Sequence, residues 1–315
     1  MFAPIQDRLA AVEVRLRQAV QDQHPSLATA LGHLLTAGGK RIRPAICLLT
    51  TAIFDVDFEH SVSLAAAVET LHTATLVHDD LIDNSPLRRG APTLNANCSP
   101  NHVVLAGDYL FARAAHFGAQ TDNVQVMSLF GQTLMAIVNG EIKQMLSSRR
   151  VSRDDYYERI YAKTAALFVL ATKAAAILGS AGEVYLDAIY AYGRSMGMAY
   201  QIVDDVLDFI GNPKHTGKPA GNDLRLGLIT LPAIHYVETH PQDPDVQMFL
   251  DEQADKQSVI PRLIAAVRES DAISQAMQEA RRLAACAQLA LDKLPDSVYT
   301  ATLHTLADHI VDRDF

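Results

Sequence analysis

Residues 58–83 read FEHSVSLAAAVETLHTATLVHDDLID, and this stretch decides the fold. Val62, Ala65, Ala66, Glu69, Leu71, Leu76 and Leu81 belong to one long helical run, which Ser85-Pro86 ends. Working outward, further helical runs cover roughly 101–119, 121–149, 152–179 and 182–210. Turn chemistry separates them: Gly38-Gly39, Gly90-Ala91-Pro92, Ser180-Ala181-Gly182, Gly211-Asn212-Pro213 and Gly217-Lys218-Pro219. Beyond Asp223 the helices shorten, punctuated by Pro232, Pro241, Pro244, Pro261 and Pro295. Alternation of period two is rare and no low-complexity linker interrupts the chain. The expectation is an all-α protein, one large helical bundle forming a single domain over residues 1–315.

Composition narrows the function. The 315 residues are 49% hydrophobic, only 6% aromatic and lack Trp, a balance that suits packed helices. A net charge of −9 argues against a nucleic-acid partner, because a phosphate-backbone binder carries a basic surface. Cys47, Cys98 and Cys286 are odd in number and lack metal-ligand spacing, so they read as free thiols of a reducing compartment. The N-terminal residues 1–21 lack the apolar core of a signal peptide, and no stretch reads as a membrane span. A soluble cytoplasmic protein is expected.

The end of the opening stretch recurs. Asp79-Asp80-Leu81-Ile82-Asp83 is matched by Asp204-Asp205-Val206-Leu207-Asp208, each closing a long helical run. A random shuffle of this composition places two such motifs only ~1–2% of the time. On a helix the first and last Asp of each motif share a face, and the middle one lies about 100° round. Three clustered carboxylates at a helix C-terminus repel one another and oppose the macrodipole unless a cation is bound. A solvated acidic face explains one motif and strains to explain two. Hard divalent cations with oxygen ligands fit, with open positions left for phosphate oxygens.

Cations supply the complement. Gly38-Gly39-Lys40-Arg41-Ile42-Arg43-Pro44 is a glycine turn leading into basic residues at a helix start, which suits a phosphate. Arg88 and Arg89 follow the first acidic motif, Lys163 interrupts an apolar helical stretch, and Lys218 sits in a Gly/Pro loop after the second motif. Among twelve histidines, only His72 has a positional argument: it precedes Asp79 by two helical turns, about 10 Å along one face. His78 reads as structural.

These elements together resemble the trans-isoprenyl diphosphate synthases. That family carries Gly-Gly-Lys-Arg-x-Arg-Pro, two Asp-Asp-x-x-Asp motifs, an Arg-Arg pair, Lys-Thr and Gly-Lys-Pro. Here they are Gly38 to Pro44, Asp79 to Asp83, Arg88-Arg89, Lys163-Thr164, Asp204 to Asp208 and Gly217 to Pro219. The segment Leu71 to His78, Gly107-Asp108-Tyr109-Leu110 and Gly140-Glu141 match further elements, in order, from about residue 38 to 232. The resemblance implies a helical bundle with a central active-site cavity and a homodimer. It implies joining of isopentenyl diphosphate to an allylic diphosphate, head to tail. Asp79, Asp80, Asp83, Asp204 and Asp208 are then the Mg²⁺ ligands, more than one ion per site, with Asp205 counted in the catalytic set. Arg88, Lys163 and Lys218 hold the allylic diphosphate with Thr164 and Gln201 nearby; Lys40, Arg43, His72 and Arg89 hold isopentenyl diphosphate. Leu228 departs from short-chain members, which often carry Lys there; long-chain members often lack it. Contact with a membrane during release of a greasy product is compatible with the resemblance.

Short-chain members place a bulky aromatic four or five residues before the first motif, where this chain has Thr75 and Ala74. The helical wheel puts Thr75 within about 40° of Asp79 and Ala74 about 140° away. Leu71, Val68 and Phe130 are deeper candidate stops. A long product, roughly six to ten isoprene units, is expected, against a farnesyl or geranylgeranyl product as the alternative. A class I terpene cyclase shares the fold and the first motif but has a different second motif and needs no isopentenyl site. A non-catalytic synthase subunit tends to lose the aspartates that both motifs keep here.

Overall fold

The computed structural model describes residues 1–20, 31, 39–88, 90–146, 152–211, 219–251 and 258–312. Gly38, Arg89, Gly217 and Lys218, singled out above, lie outside the described residues. The chain is all-α and divides into two compact units. One comprises Met1–Leu134, Leu167–Gly193 and Leu289–Leu306; the other comprises Met135–Ala166, Arg194–Gln288 and Ala307–Phe315.

The first unit is built round α3 (Phe58–Ile82). Every residue from Ser61 to Leu71 is buried, so the helix is wrapped on all sides, as its apolar composition requires. Asp57 caps its start, its carboxylate accepting the His60 N–H at 3.0 Å. Buried hydroxyls return to the helix's own carbonyls: Thr73 donates to Glu69 O at 2.9 Å and Ser61 to Asp57 O at 2.7 Å. Helix α1 (Gln6–Gln18), which the sequence reading did not anticipate, is tied to α3 by arginines. Arg8 donates to Ser61 Oγ at 2.9 Å, and Arg15 pairs with Glu59 at 2.6 Å and reaches Ser63. Helix α2 (Ile42–Ile53) packs on α3 and α1.

After α3 come a hairpin of two-residue strands, β1 (Leu87–Arg88) and β2 (Ala91–Pro92), and the short α4 (Leu94–Asn97). The breaker-rich segment thus forms the one sheet among the described residues, turning at Gly90 with φ +77°. Helix α5 (Pro100–Ala119) then crosses α3 closely enough that a Cβ on Gly107 would sit 2.0 Å from His78 Nε2. His78 bonds Val104 O at 3.2 Å.

Helix α6 (Val124–Leu146) follows, then α7 (Arg153–Ile160), a π-helical segment Tyr161–Ala165, and α8 (Ala166–Leu178). A capping box starts α7: Asp155 N donates to Ser152 Oγ and Ser152 N to Asp155 Oδ2, both at 3.1 Å. The run Arg153–Leu178 is long and apolar enough to cross a membrane, contrary to the expectation that none is. Its apolar window, of mean hydropathy 1.4, is 72% buried within the protein.

Helix α9 (Glu183–Ile210) ends in the second acidic motif. Around its last turns the second unit assembles its core: Tyr156, Ile160, Ile202, Val206 and Phe209, with side chains of α11 (Leu231–Thr239), α13 (Val259–Glu269) and α14 (Ala272–Leu291). The short α10 (Asn222–Arg225) and α12 (Pro244–Leu250) fill connections, and α15 (Val298–Val311) is the last described helix.

Candidate active site

The two acidic motifs share a plan. In the first, Asp79 is half-buried and Asp83 exposed, whereas Asp80 is only 4% exposed. In the second, Asp204 and Asp208 are half-buried and Asp205 is 3% exposed. In each motif the outer pair is the more accessible and the middle carboxyl is buried, in keeping with the 100° offset.

Each inward carboxyl has its own partner. Arg88, carried by β1, donates from Nε to Asp80 Oδ1 and Oδ2 at 2.9 and 3.0 Å, with Nη2 2.8 Å from Oδ1. The hairpin thus brings together two residues assigned separately above, Asp80 to metal and Arg88 to diphosphate. Asp205 accepts the Tyr156 hydroxyl at 2.6 Å and the Gln201 amide at 2.8 Å. Gln201 in turn accepts the Thr164 hydroxyl at 2.6 Å. Burial pushes the Asp205 carboxyl up to about 8, the charge of Asp223 adds to this, and the donors Tyr156 and Gln201 pull against it. The Tyr156 hydroxyl is held well above its ordinary range by burial and by Asp205. Asp208 Oδ2 accepts the Asp223 N–H at 3.1 Å.

Lys163 and Thr164 lie in the π-helical segment, whose wider turn re-aims side chains relative to a regular helix. Lys163 Nζ is 2.8 Å from Glu141 Oε1 of α6. The approach depends on Gly140, where a Cβ would fall 2.5 Å from the Ala162 methyl. Tyr156 was missed in the sequence. The signal was an aromatic two turns before Lys163, legible only once α7 and the π-segment are known to be continuous.

In the basic segment, Lys40 is exposed and Arg43 half-buried with its guanidinium 5.1 Å over the Phe168 ring. Arg41, between them, begins α2 in the left-handed region (φ 48°, ψ 34°) and pairs with carboxylates. His72 is half-buried on α3. The chain-length candidates Val68, Leu71, Ala74, Thr75 and Phe130 are all buried in the first unit. Thr75 donates its hydroxyl to His72 O at 2.8 Å, leaving a small methyl for its neighbours. Phe130 lies against Gly118 of α5.

Among the described residues no three His, Cys, Asp or Glu side chains cluster closely enough to enclose a metal ion. The donor chemistry nonetheless fits a hard divalent ion that leaves positions for other oxygens. Each motif presents an i, i+4 carboxylate pair at a helix C-terminus, and each pair is more accessible than the middle carboxyl.

Comparison with known proteins places the chain in a family. The family model described as polyprenyl synthetase matches residues 24–267. A prenyl transferase of Synechocystis is 36% identical over 99% of this chain and 98% of its own. Heptaprenyl diphosphate synthase component 2 of Geobacillus stearothermophilus is also 36% identical, over 100% of this chain and 98% of its own. The crystal structure of heptaprenyl diphosphate synthase from Staphylococcus aureus superposes with a TM-score of 0.92 at 30% identity, covering 99% of both chains. With both acidic motifs in place and its whole length matched, the chain belongs to the polyprenyl synthetase family.

Proposed function

We propose that this chain condenses isopentenyl diphosphate with an allylic diphosphate, head to tail, to build a long all-trans polyprenyl diphosphate. The observation that carries the reading is the shared plan of the motifs: Asp79 with Asp83, and Asp204 with Asp208, as accessible carboxylate pairs beside a buried middle Asp. These pairs would hold Mg²⁺, which would supply positive charge for a departing diphosphate. Lys163, Arg88 and Lys218 bind the same diphosphate, Arg88 oriented by Asp80 and Lys163 by Glu141. Thr164 and Gln201 complete that side, fixed through Asp205 and Tyr156. Lys40, Arg43, Arg89 and His72 bind isopentenyl diphosphate, whose double bond attacks the allylic carbon before a proton is lost. No side-chain nucleophile is required.

Small residues at 74 and 75 support a long product, since no aromatic stands a turn before Asp79. We infer further that the working form is a homodimer. The Geobacillus relative is named as one component of a synthase, which favours a second reading in which activity needs a different partner chain.

One assay separates these readings. The purified chain is incubated with labelled isopentenyl diphosphate and geranyl, farnesyl or geranylgeranyl diphosphate, with Mg²⁺ or EDTA, and dephosphorylated products are sized. Metal-dependent chains of roughly six to ten units are expected, and Ala74→Tyr or Thr75→Phe should shorten them. A dominant geranylgeranyl product from wild type removes the long-chain reading. No incorporation from folded protein with any primer moves the weight to a two-component enzyme.

A further inference from the structure

Arg41 has no part in the substrate contacts proposed above, yet its surroundings are the most constrained in the basic segment. It is a non-glycine residue in the left-handed region, an unfavourable backbone state that persists where the neighbourhood imposes it. Its guanidinium spans two carboxylates from two other helices. Nε donates to Glu13 Oε1 of α1 at 2.5 Å, Nη2 to Glu13 Oε2 at 3.3 Å, and Nη1 to Glu69 Oε1 of α3 at 2.7 Å. Glu69 is buried. Burial works against the guanidinium charge, but the hydrogen bonds and fields of Glu13 and Glu69 outweigh it and hold its pKa above the ordinary value.

The placement of this triad matters more than its strength. Lys40 and Arg43 flank Arg41 in the chain, and Glu69 lies one helical turn before His72 on α3. The Arg41–Glu69 pair therefore fastens the segment bearing two of the proposed isopentenyl diphosphate ligands to the helix bearing a third. Glu13 closes the other side and also balances the Arg41 charge, so the positive charge left for a diphosphate is that of Lys40 and Arg43.

We infer that Arg41 is a positioning residue for isopentenyl diphosphate, clamped by Glu13 and Glu69 so that Lys40 and Arg43 are held in register with His72. The inference rests on the proposed assignment of Lys40, Arg43 and His72 to that substrate. Lys cannot replace Arg here, because one ammonium does not reproduce a planar fork between two carboxylates.

The test is steady-state kinetics on Arg41→Lys, Glu69→Gln and Lys40→Ala, varying each substrate with the other saturating. Arg41→Lys and Glu69→Gln should each raise KM for isopentenyl diphosphate about tenfold while KM for the allylic substrate stays within about twofold. The double variant should be little worse than either single one, as expected of residues acting through one contact. A purely structural role would instead lower the melting temperature and the active fraction, and leave both KM values alone. Should Arg41→Lys fail to fold, Glu13→Gln, which loosens the more exposed arm, carries the same prediction. If Lys40→Ala raises KM for isopentenyl diphosphate and the Arg41 and Glu69 variants do not, the positioning role is wrong. If Lys40→Ala leaves it unchanged, the site assignment is wrong and the inference falls with it.

Discussion

Six motif aspartates carry two kinds of work. Asp79, Asp83, Asp204 and Asp208 are the more accessible, while Asp80 and Asp205 are buried and anchor partners. Removing a donor from a buried carboxyl leaves it under-solvated, so Tyr156→Phe should cost about 1–3 kcal/mol of unfolding free energy in urea titrations. A change within about 0.5 kcal/mol would mean that Gln201 alone satisfies Asp205. The sequence made both motifs legible, and the wheel showed that the middle Asp points elsewhere. It could not show what meets that Asp. Arg88 arrives through a hairpin of two-residue strands, too short for any periodic signal, and Tyr156 through a contact 49 residues away. The left-handed Arg41 was equally hidden, because the carboxylates it pairs with, Glu13 and Glu69, come from helices distant in the chain.

At the scale of elements, long helices were legible because their apolar spacing is local, and α3 ends within a residue of its expected limit. The π-helical segment was not, since one widened turn leaves no mark on an apolar pattern. It sits where α6 and the segment touch through Gly140 and Ala162. A methyl at 140 meets another methyl, short and unable to swing aside, so the backbone itself must move. Gly140→Ala should therefore destabilise the protein by about 1–3 kcal/mol and raise KM for the allylic diphosphate, by loosening the Lys163–Glu141 pair. Melting curves and substrate titrations check this together. An unaltered KM with the stability loss present would detach Lys163 from that substrate.

At the scale of the molecule, burial sorts the thiols. Cys47 is buried in α2, and loss of solvation pushes its pKa up, whereas Cys98 is half-buried and Cys286 exposed. Maleimide labelling of the native protein should modify Cys286 first and Cys98 next, and reach Cys47 only on unfolding; rapid native labelling of Cys47 would contradict the packing of α2. The buried Arg153–Leu178 run has a consequence of another kind. While the chain is being made, that stretch leaves the ribosome before α9, whose side chains cover part of it, and it is long and oily enough to be handed to a translocon. Lys163 and Lys173 lie within it, and a lysine at the centre of an inserting helix costs about 2.5–3.5 kcal/mol. The same ammonium assigned to a diphosphate therefore also weighs against misrouting of the nascent chain into lipid.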